Sequence, residues 1–203
     1  VFLSERITIE TAFEAGKLKT VERKSFFGVG LRVIHEGRLG FAATSDSSRL
    51  HDLVENALAA SRFGKNVHFA FPESFENGPG AVFDAAIDSY SPADAISEGK
   101  RAIEALRERC PKALTDVNIS ASVATVRAAN TSGLDASYRA TDFRHSVTSI
   151  IVEGDSILWI GDGGHYGVLD IRTDEYVDKI SRLARMAETK APKVSGKLPV
   201  LFV

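Results

Sequence analysis

An α+β fold, built mainly from antiparallel sheet with a few helices packed on it, is what this sequence predicts. Three observations predict it. Apolar and polar residues alternate through residues 5–45 and again from Val117 to about residue 160. Three segments, near 50–64, 92–110 and 173–187, switch to helical spacing. Strands and helices also come in blocks, without the strict β-α-β alternation of a parallel sheet.

The elements follow in order. Arg6-Ile7-Thr8-Ile9-Glu10-Thr11 alternates, and so does Lys17-Leu18-Lys19-Thr20-Val21-Glu22-Arg23 after Ala15-Gly16. Leu31-Arg32-Val33-Ile34 and Leu39-Gly40-Phe41-Ala42 flank the turn pair Glu36-Gly37, so four short strands form a meander. Leu50, Leu53, Val54, Ala57 and Leu58 then share one helix face; Ser47 or Ser48 can cap this helix and Gly64 can end it. Residues 65–91 read as an irregular loop anchored by Phe69, Phe71, Phe75 and Phe83. Ser91-Pro92 opens a second helix, a cap followed by proline at the first helical position. Its stripe is Ala95, Ile96, Ala102, Ile103 and Leu106, and Pro111 follows its end.

From Val117 the chain is β again. Val117, Ile119, Ala121 and Val123 point one way, and the apolar parity then moves to Ala124, Val126 and Ala128. A bulge or an edge-to-centre change near Val123 would explain the slip. Asn130-Thr131-Ser132-Gly133 is a turn with Gly133 at positive φ. Strands follow near 134–143, 145–153 and 156–160. A third helix carries Tyr176, Val177, Ile180, Leu183, Ala184 and Ala187 and is capped by Thr173. Residues 1–64 thus form a meander plus helix, 65–195 the second part of the α+β region, and 196–203 the start of a further domain. The Val1 start without Met and the apolar finish Leu198-Pro199-Val200-Leu201-Phe202-Val203 read as the front part of a longer protein; a natural end docking as a last strand is the alternative.

The 203 residues are 44% hydrophobic and 26% charged, with a net charge of -2 and a pI near 6.2. Lys and Arg are nowhere concentrated as a phosphate-tracking surface needs, so direct nucleic-acid contact is not expected. Cys110 is the single cysteine; no internal disulfide or cysteine metal knot can form, which fits a reducing, cytoplasmic compartment. No apolar run approaches the ~18 residues of a membrane span, and no signal peptide opens the chain.

Candidate chemistry is sparse. His35-Glu36 starts like a zinc-protease motif, but Gly37, Arg38, Leu39 and Gly40 follow and no second histidine shares a helix face with the first. Both are read as turn residues. Gly28-Val29-Gly30 lacks the third glycine and following helix of a dinucleotide loop, so its glycines are read as permitting close strand contact or a bulge. Gly161-Asp162-Gly163-Gly164-His165-Tyr166-Gly167 fits a strand-to-helix connection, and behind that a backbone anion cradle or a peptide-facing flap; Asp162 and His165 could pair as base and orienter, with no nucleophile beside them. His51, His68 and His145 lack ligand spacing and read as surface or hydrogen-bonded residues. Asn130-Thr131-Ser132 matches a glycosylation sequon, for which the turn is the better reading. No complete catalytic set appears, and an unrelated α+β ligand-binding domain stays open as a reading.

The stretch GVGLRVIHEGRLGFAATS, residues 28–45, followed by LHDLVENALAASRF, resembles the N-terminal region of the TldD/PmbA family, also called modulators of DNA gyrase. Gly28, Gly30, Arg32, Val33, Gly37, Arg38, Gly40, Phe41 and Thr44 match its pattern of strand, turn, second strand and helix. Asn130 and Gly133 match its Asn-Ser-x-Gly turn, with Thr131 in place of the usual Ser, and Tyr138-Arg139-Ala140-Thr141 resembles the segment after it. SGKLPVLFV looks like the strand that leads into the family's C-terminal domain. The resemblance implies a TldD–TldE heterodimer or a homodimer that acts as a zinc-dependent protease on unfolded peptides. It implies that the zinc motif, His-Glu-x-x-x-His, belongs to the TldD branch and lies in the C-terminal half. No residue of this chain matches it, so no catalytic, cofactor or metal residue carries over, and the matched residues carry over as structural ones. The chain is then a non-catalytic portion of such a protease or of its metal-free, TldE-like partner. In this reading a sheet edge could take an extended substrate as an added strand.

Overall fold

Alternation carries six strands into one antiparallel sheet of order β3-β2-β1-β4-β5-β6 in a computed structural model of the chain, which describes residues 1–74, 83–189, 195–197 and 199. The strands are β1 (Phe2–Glu14), β2 (Lys17–His35), β3 (Arg38–Thr44), β4 (Leu114–Ala129), β5 (Asp135–Glu153) and β6 (Ser156–Tyr166). Two-residue turns join the first three. Ala15-Gly16 and Glu36-Gly37 both have positive φ, the backbone twist that tight hairpins require. The helices are α1 (Leu50–Ser61), the single turn α2 (Ala85–Asp88), α3 (Pro92–Arg109) and α4 (Thr173–Ala187).

Directly opposed residues share a face of an antiparallel sheet. Phe13, Val117 and Val147 are one such row; Thr11, Ile119, His145 and Gly164 are the next. All four helices of the described residues cover this face. α3 lies so close over β1 that a Cβ on Gly99 would overlap the Phe13 ring, and α1 lies so close over β3 that one on Gly40 would overlap the carbonyl of Ala57. Phe13, Leu106, Val117, Phe143, Val147, Val177 and Ile180 form the centre of the core. Burying such a side chain stabilises the fold by about 1.5–3 kcal/mol.

Several expectations change. The second and third strands merge into β2, because residues 21–26 are exposed and no helix above them imposes a period. Gly28 and Gly30 stay in the ladder opposite Ser4 and Phe2. The strands read at 134–143 and 145–153 are likewise one, β5, and the glycine-rich segment 161–166 continues β6 instead of forming a loop. Its glycines lie against β5: a Cβ on Gly163 would stand 2.7 Å from the Ser146 Cβ. There is no bulge at Val123, which pairs in continuous register with Ile7 and Thr141. The parity slips because Val117, Ile119 and Ala121 are buried under helices, whereas Ser122, Ala124 and Val126 are buried on the opposite face.

Two caps also differ. Asp46, not Ser47 or Ser48, caps the 3-10 turn Ser47–Arg49 that leads into α1, its carboxylate accepting the Ser48 amide at 2.9 Å. Gly64 follows α1 without positive φ, and a Cβ on it would overlap the Leu39 carbonyl. Thr173 is the first residue of α4 and makes no cap; it is fully buried, and its hydroxyl donates to Glu98 on α3. The Ser91 cap stands as read, within a full capping box: Ser91 Oγ accepts the Asp94 amide and Asp94 accepts the Ser91 amide. In the loop, Phe69 and Phe71 meet edge to face at 6.1 Å and Arg139 lies over Phe83 at 4.1 Å. Phe75 and residues 200–203 lie outside the described residues. No helix among the described residues is long and apolar enough to cross a membrane.

Candidate functional site

With the helices on one side, the other face of the sheet carries no helix among the described residues. Its residues alternate with the core residues, so its character can be read row by row. At one corner stand Phe2, Phe26 and Phe41, each more than half exposed. They are neighbours because Phe2 pairs with Gly30, and Gly30 with Ala43. Here the two glycines of the Gly-x-Gly pattern find their use. A Cβ on Gly28 would come within 2.9 Å of the Phe26 ring, and one on Gly30 within 3.3 Å of the Phe41 ring. Without side chains, both positions let the rings lie down on the strand. The hollow lined by Phe2, Phe26, Gly28 and Gly30, and closed by Ser4, Ala43 and Thr44, measures about 380 Å³.

The middle of the same face is polar. Glu10, Glu22 and Lys24 interact across β1 and β2, with Lys24 Nζ 3.0 Å from Glu22 and also bonded to Glu10. Glu10 first and Glu22 second hold the Lys24 ammonium above its ordinary pKa. Across β4, Asp142 pairs with His165 and lies 3.5 Å from Arg144. A groove of about 420 Å³ runs between these groups, floored by Asn118, Ser120 and Ser146. At the far corner the face turns apolar again, with Leu114, Ile150 and Trp159 in one row and Val152 and Ile157 in the next.

The structure sorts the residues singled out by sequence. Gly28, Gly30, Arg32 and Phe41 share the bare face, and Arg32 stands opposite Phe41. Gly40 seats α1 from the other side, helped by Arg38, whose guanidinium donates to the Arg62 carbonyl at 2.8 Å. Gly37 makes the hairpin turn at φ 74. Thr44 Oγ1 accepts the Asp46 amide at 3.0 Å and starts the turn into α1. Asn130 and Gly133 make the β4–β5 turn: the Asn130 carboxamide oxygen accepts the Ser132 and Leu134 amides, Gly133 sits at φ 109, and Asn130 Nδ2 donates to the Pro72 carbonyl at 2.7 Å. His35 and Glu36 lie at a hairpin tip, as read.

Asp162 and His165 do not pair, since residues three apart in a strand face opposite sides. Asp162 meets Lys179 of α4 at 3.0 Å on the helix side. His145 is not a surface residue: it is fully buried, and neither ring nitrogen has a hydrogen-bond partner among the described residues. It packs against Tyr176 at 5.3 Å and Phe143 at 6.5 Å. Burial, the larger cause, pushes its pKa down to about 4, with nearby Glu98 opposing and Arg101 assisting. Sequence reading missed Phe2, Phe26, Lys24, Glu10, Asp142 and Arg144, all single residues in alternating runs. Only the register shows that they share one surface. Among the described residues no three His, Cys, Asp or Glu side chains converge as a metal site.

Comparison with known proteins adds the following. The model of PmbA/TldA metallopeptidase domain 1 matches residues 1–61, and that of the PmbA/TldA metallopeptidase central domain matches residues 86–191. The fold is similar to the crystal structure of TldE from Thermococcus kodakarensis, at 17% identity and TM-score 0.78 over 95% of this chain and 45% of that one. It is also similar to a proposed modulator of a DNA gyrase from Thermotoga maritima, at 16% identity and TM-score 0.76 over 91% of this chain and 43% of that one. A third match is the corresponding modulator from Bacteroides thetaiotaomicron, at 16% identity and TM-score 0.75 over 92% and 44%. The chain thus spans under half the length of the solved structures it matches. No curated protein matches it.

Proposed function

The chain belongs to the PmbA/TldD family, and from that premise we propose that it is a scaffold portion of a peptide-processing metallopeptidase, or of the metal-free subunit that partners one. One observation supports this above the others. Every helix among the described residues sits on one face of the sheet, and the opposite face offers aromatic rings at a corner and a charged groove in the middle. An unfolded polypeptide carries exposed apolar side chains and unmet backbone polar groups, and such a face can meet both. A folded protein hides both, so the surface selects for unfolded substrates. Gly28, Gly30, Arg32, Gly37, Gly40, Phe41, Thr44, Asn130 and Gly133 act structurally in this reading. The first four and Phe41 shape the bare face and its hairpin, and the others hold α1 and the β4–β5 turn.

The described residues do not fit a catalytic metal. His35 and Glu36 sit at a hairpin tip, and no other acidic or imidazole group converges on them. In this reading they carry no hydrolytic centre, and zinc, where a family member uses it, lies outside these residues. A soluble cytoplasmic assembly, homodimeric or TldD–TldE-like, completes the proposal. Photo-crosslinking an unfolded peptide to the full-length protein tests it. Labelling is expected on β1, β2 and β3 around Phe26 and Phe41; labelling confined to the other half of the protein would sink the reading.

A further inference from the structure

α1 stands over β3, and α2 with the start of α3 stands over β4 and β5, so among the described residues the helix layer is open above the first half of β1. Ile7, on the helix face of β1, is 43% exposed there. Register fixes the floor of the opening. Glu5, Ile7 and Ile9 point to the helix side, with Thr125, Val123 and Ala121 opposite them on β4. Arg23 of β2 stands opposite Ile9. The buried residues Ile87 and Tyr90, together with Pro92, make the wall. The cleft so bounded holds about 350 Å³, within the ~300–1,000 Å³ of small-molecule sites.

The charges of the cleft are set apart. Asp88 and Arg139 close on each other at 2.9 Å, and Arg139 also covers the Phe83 ring, so this pair is satisfied. Glu5 and Arg23 differ: each lines the cleft, is exposed, and has no ion-pair partner among the described residues. Four residues of β1 separate the Glu5 row from the Arg23 row, about 13 Å at ~3.3 Å per residue. Between them the floor is Ile7, Ile9, Val123 and Ala121. A simple anion would leave Glu5 unmet, and a simple cation would leave Arg23 unmet. The complement is a molecule with a cation at one end, an anion at the other and an apolar middle. A free amino acid carries both charges on one carbon and is too short. An extended chain of three or four residues, at about 3.5 Å each, spans about 10–14 Å between its termini.

We propose that this cleft binds a short peptide of about three or four residues with both termini free, its ammonium at Glu5 and its carboxylate at Arg23. A guanidinium can hold a carboxylate through two parallel hydrogen bonds. Small apolar side chains suit the floor, whereas acidic or basic ones would compete for the two charges. The cleft lies on the helix side, apart from the surface that carries the proposed function, so the two stand or fall separately. Ion pairs open to solvent add little, so dissociation on the order of 1 mM is expected.

Isoleucine-methyl NMR of the full-length protein, titrated with the free tripeptide Ala-Leu-Ala, tests this. Ile7, Ile9 and Ile87 line the cleft and report on it, while Ile34, two residues beyond Arg32 on β2, reports on the opposite face. Shifts at Ile7 and Ile9 are expected to saturate by about 10 mM peptide, roughly ten times that dissociation constant. N-acetylation and C-amidation of the peptide should each weaken binding about 2–5-fold, the range of exposed ion pairs. Glu5→Gln should remove the penalty for acetylation and keep that for amidation; Arg23→Gln should do the reverse. Both side chains are exposed, so neither variant should move the thermal melt. Equal binding of free and blocked peptides overturns the inference, as does a titration with no saturation in that range. Penalties that persist in both variants overturn it too, by placing the termini elsewhere. Shifts confined to Ile34 would give the peptide to the opposite face, overturning this inference and leaving the proposed function standing.

Discussion

His145 makes the most quantitative prediction. It lies at the centre of β5 beneath α4, fully buried, with both ring nitrogens unbonded among the described residues. Its pKa is about 4 against 6.5 for a free histidine. The unfolded chain therefore binds a proton at a pH where the folded chain does not. Stability is then full above about pH 6.5 and falls as pH drops toward 4. The difference of about 2.5 pKa units, at 1.36 kcal/mol each, amounts to ~3 kcal/mol in all, of which about 2 kcal/mol is gone by pH 5. Glu98 and Arg101 are the charged groups that bear on the ring, and they act in opposite directions, so burial dominates. The perturbation is His145→Leu, close in volume and without a titrating group. Urea unfolding followed by circular dichroism, at intervals from pH 7.5 to 4.5, measures both proteins. Carboxylates shared by the two cancel in the difference. The variant should gain on the wild type by about 2 kcal/mol between pH 7 and pH 5. Parallel curves through that window would refute the reasoning and mean that the ring finds a partner for its charged form.

Two further outcomes follow from local geometry. Gly40→Ala should destabilise the chain by about 1–3 kcal/mol, because the added methyl meets the fixed carbonyl of Ala57; Gly30→Ala should cost less, since its neighbour is the movable Phe41 ring. Thermal melts of the two variants check the order. Ser91→Ala should cost about 1 kcal/mol by removing the acceptor for the Asp94 amide at the start of α3, read as a lower urea midpoint with an unchanged slope.

The strands were legible where one face is covered and the other is wet. Ile7 to Thr11 and Val117 to Ala121 alternate because helices lie above one side only. The reading broke where that contrast disappears. Residues 21–26 are exposed, so β2 looked like two strands. In β4 the burial changes faces between Ala121 and Ser122, which imitates a bulge. In β6 the glycines imitate a loop, although they are paired with β5 throughout. The Ser91 cap was legible because its partner, Asp94, is three residues away. Thr173 was misjudged because its partner, Glu98, is 75 residues away.

Local chemistry, held within a few residues, was enough to give the strand and helix types, the tight turns at Ala15-Gly16 and Glu36-Gly37, and the motif that pointed to the family. The shared surface of Phe2, Phe26 and Phe41, the burial of His145, and the separation of Asp162 from His165 were decided by tertiary structure alone. The physical reason is register. A strand's sequence records which residues alternate, but only pairing with its neighbours settles which rows meet, which face the helices cover, and which side chains are left to greet another molecule.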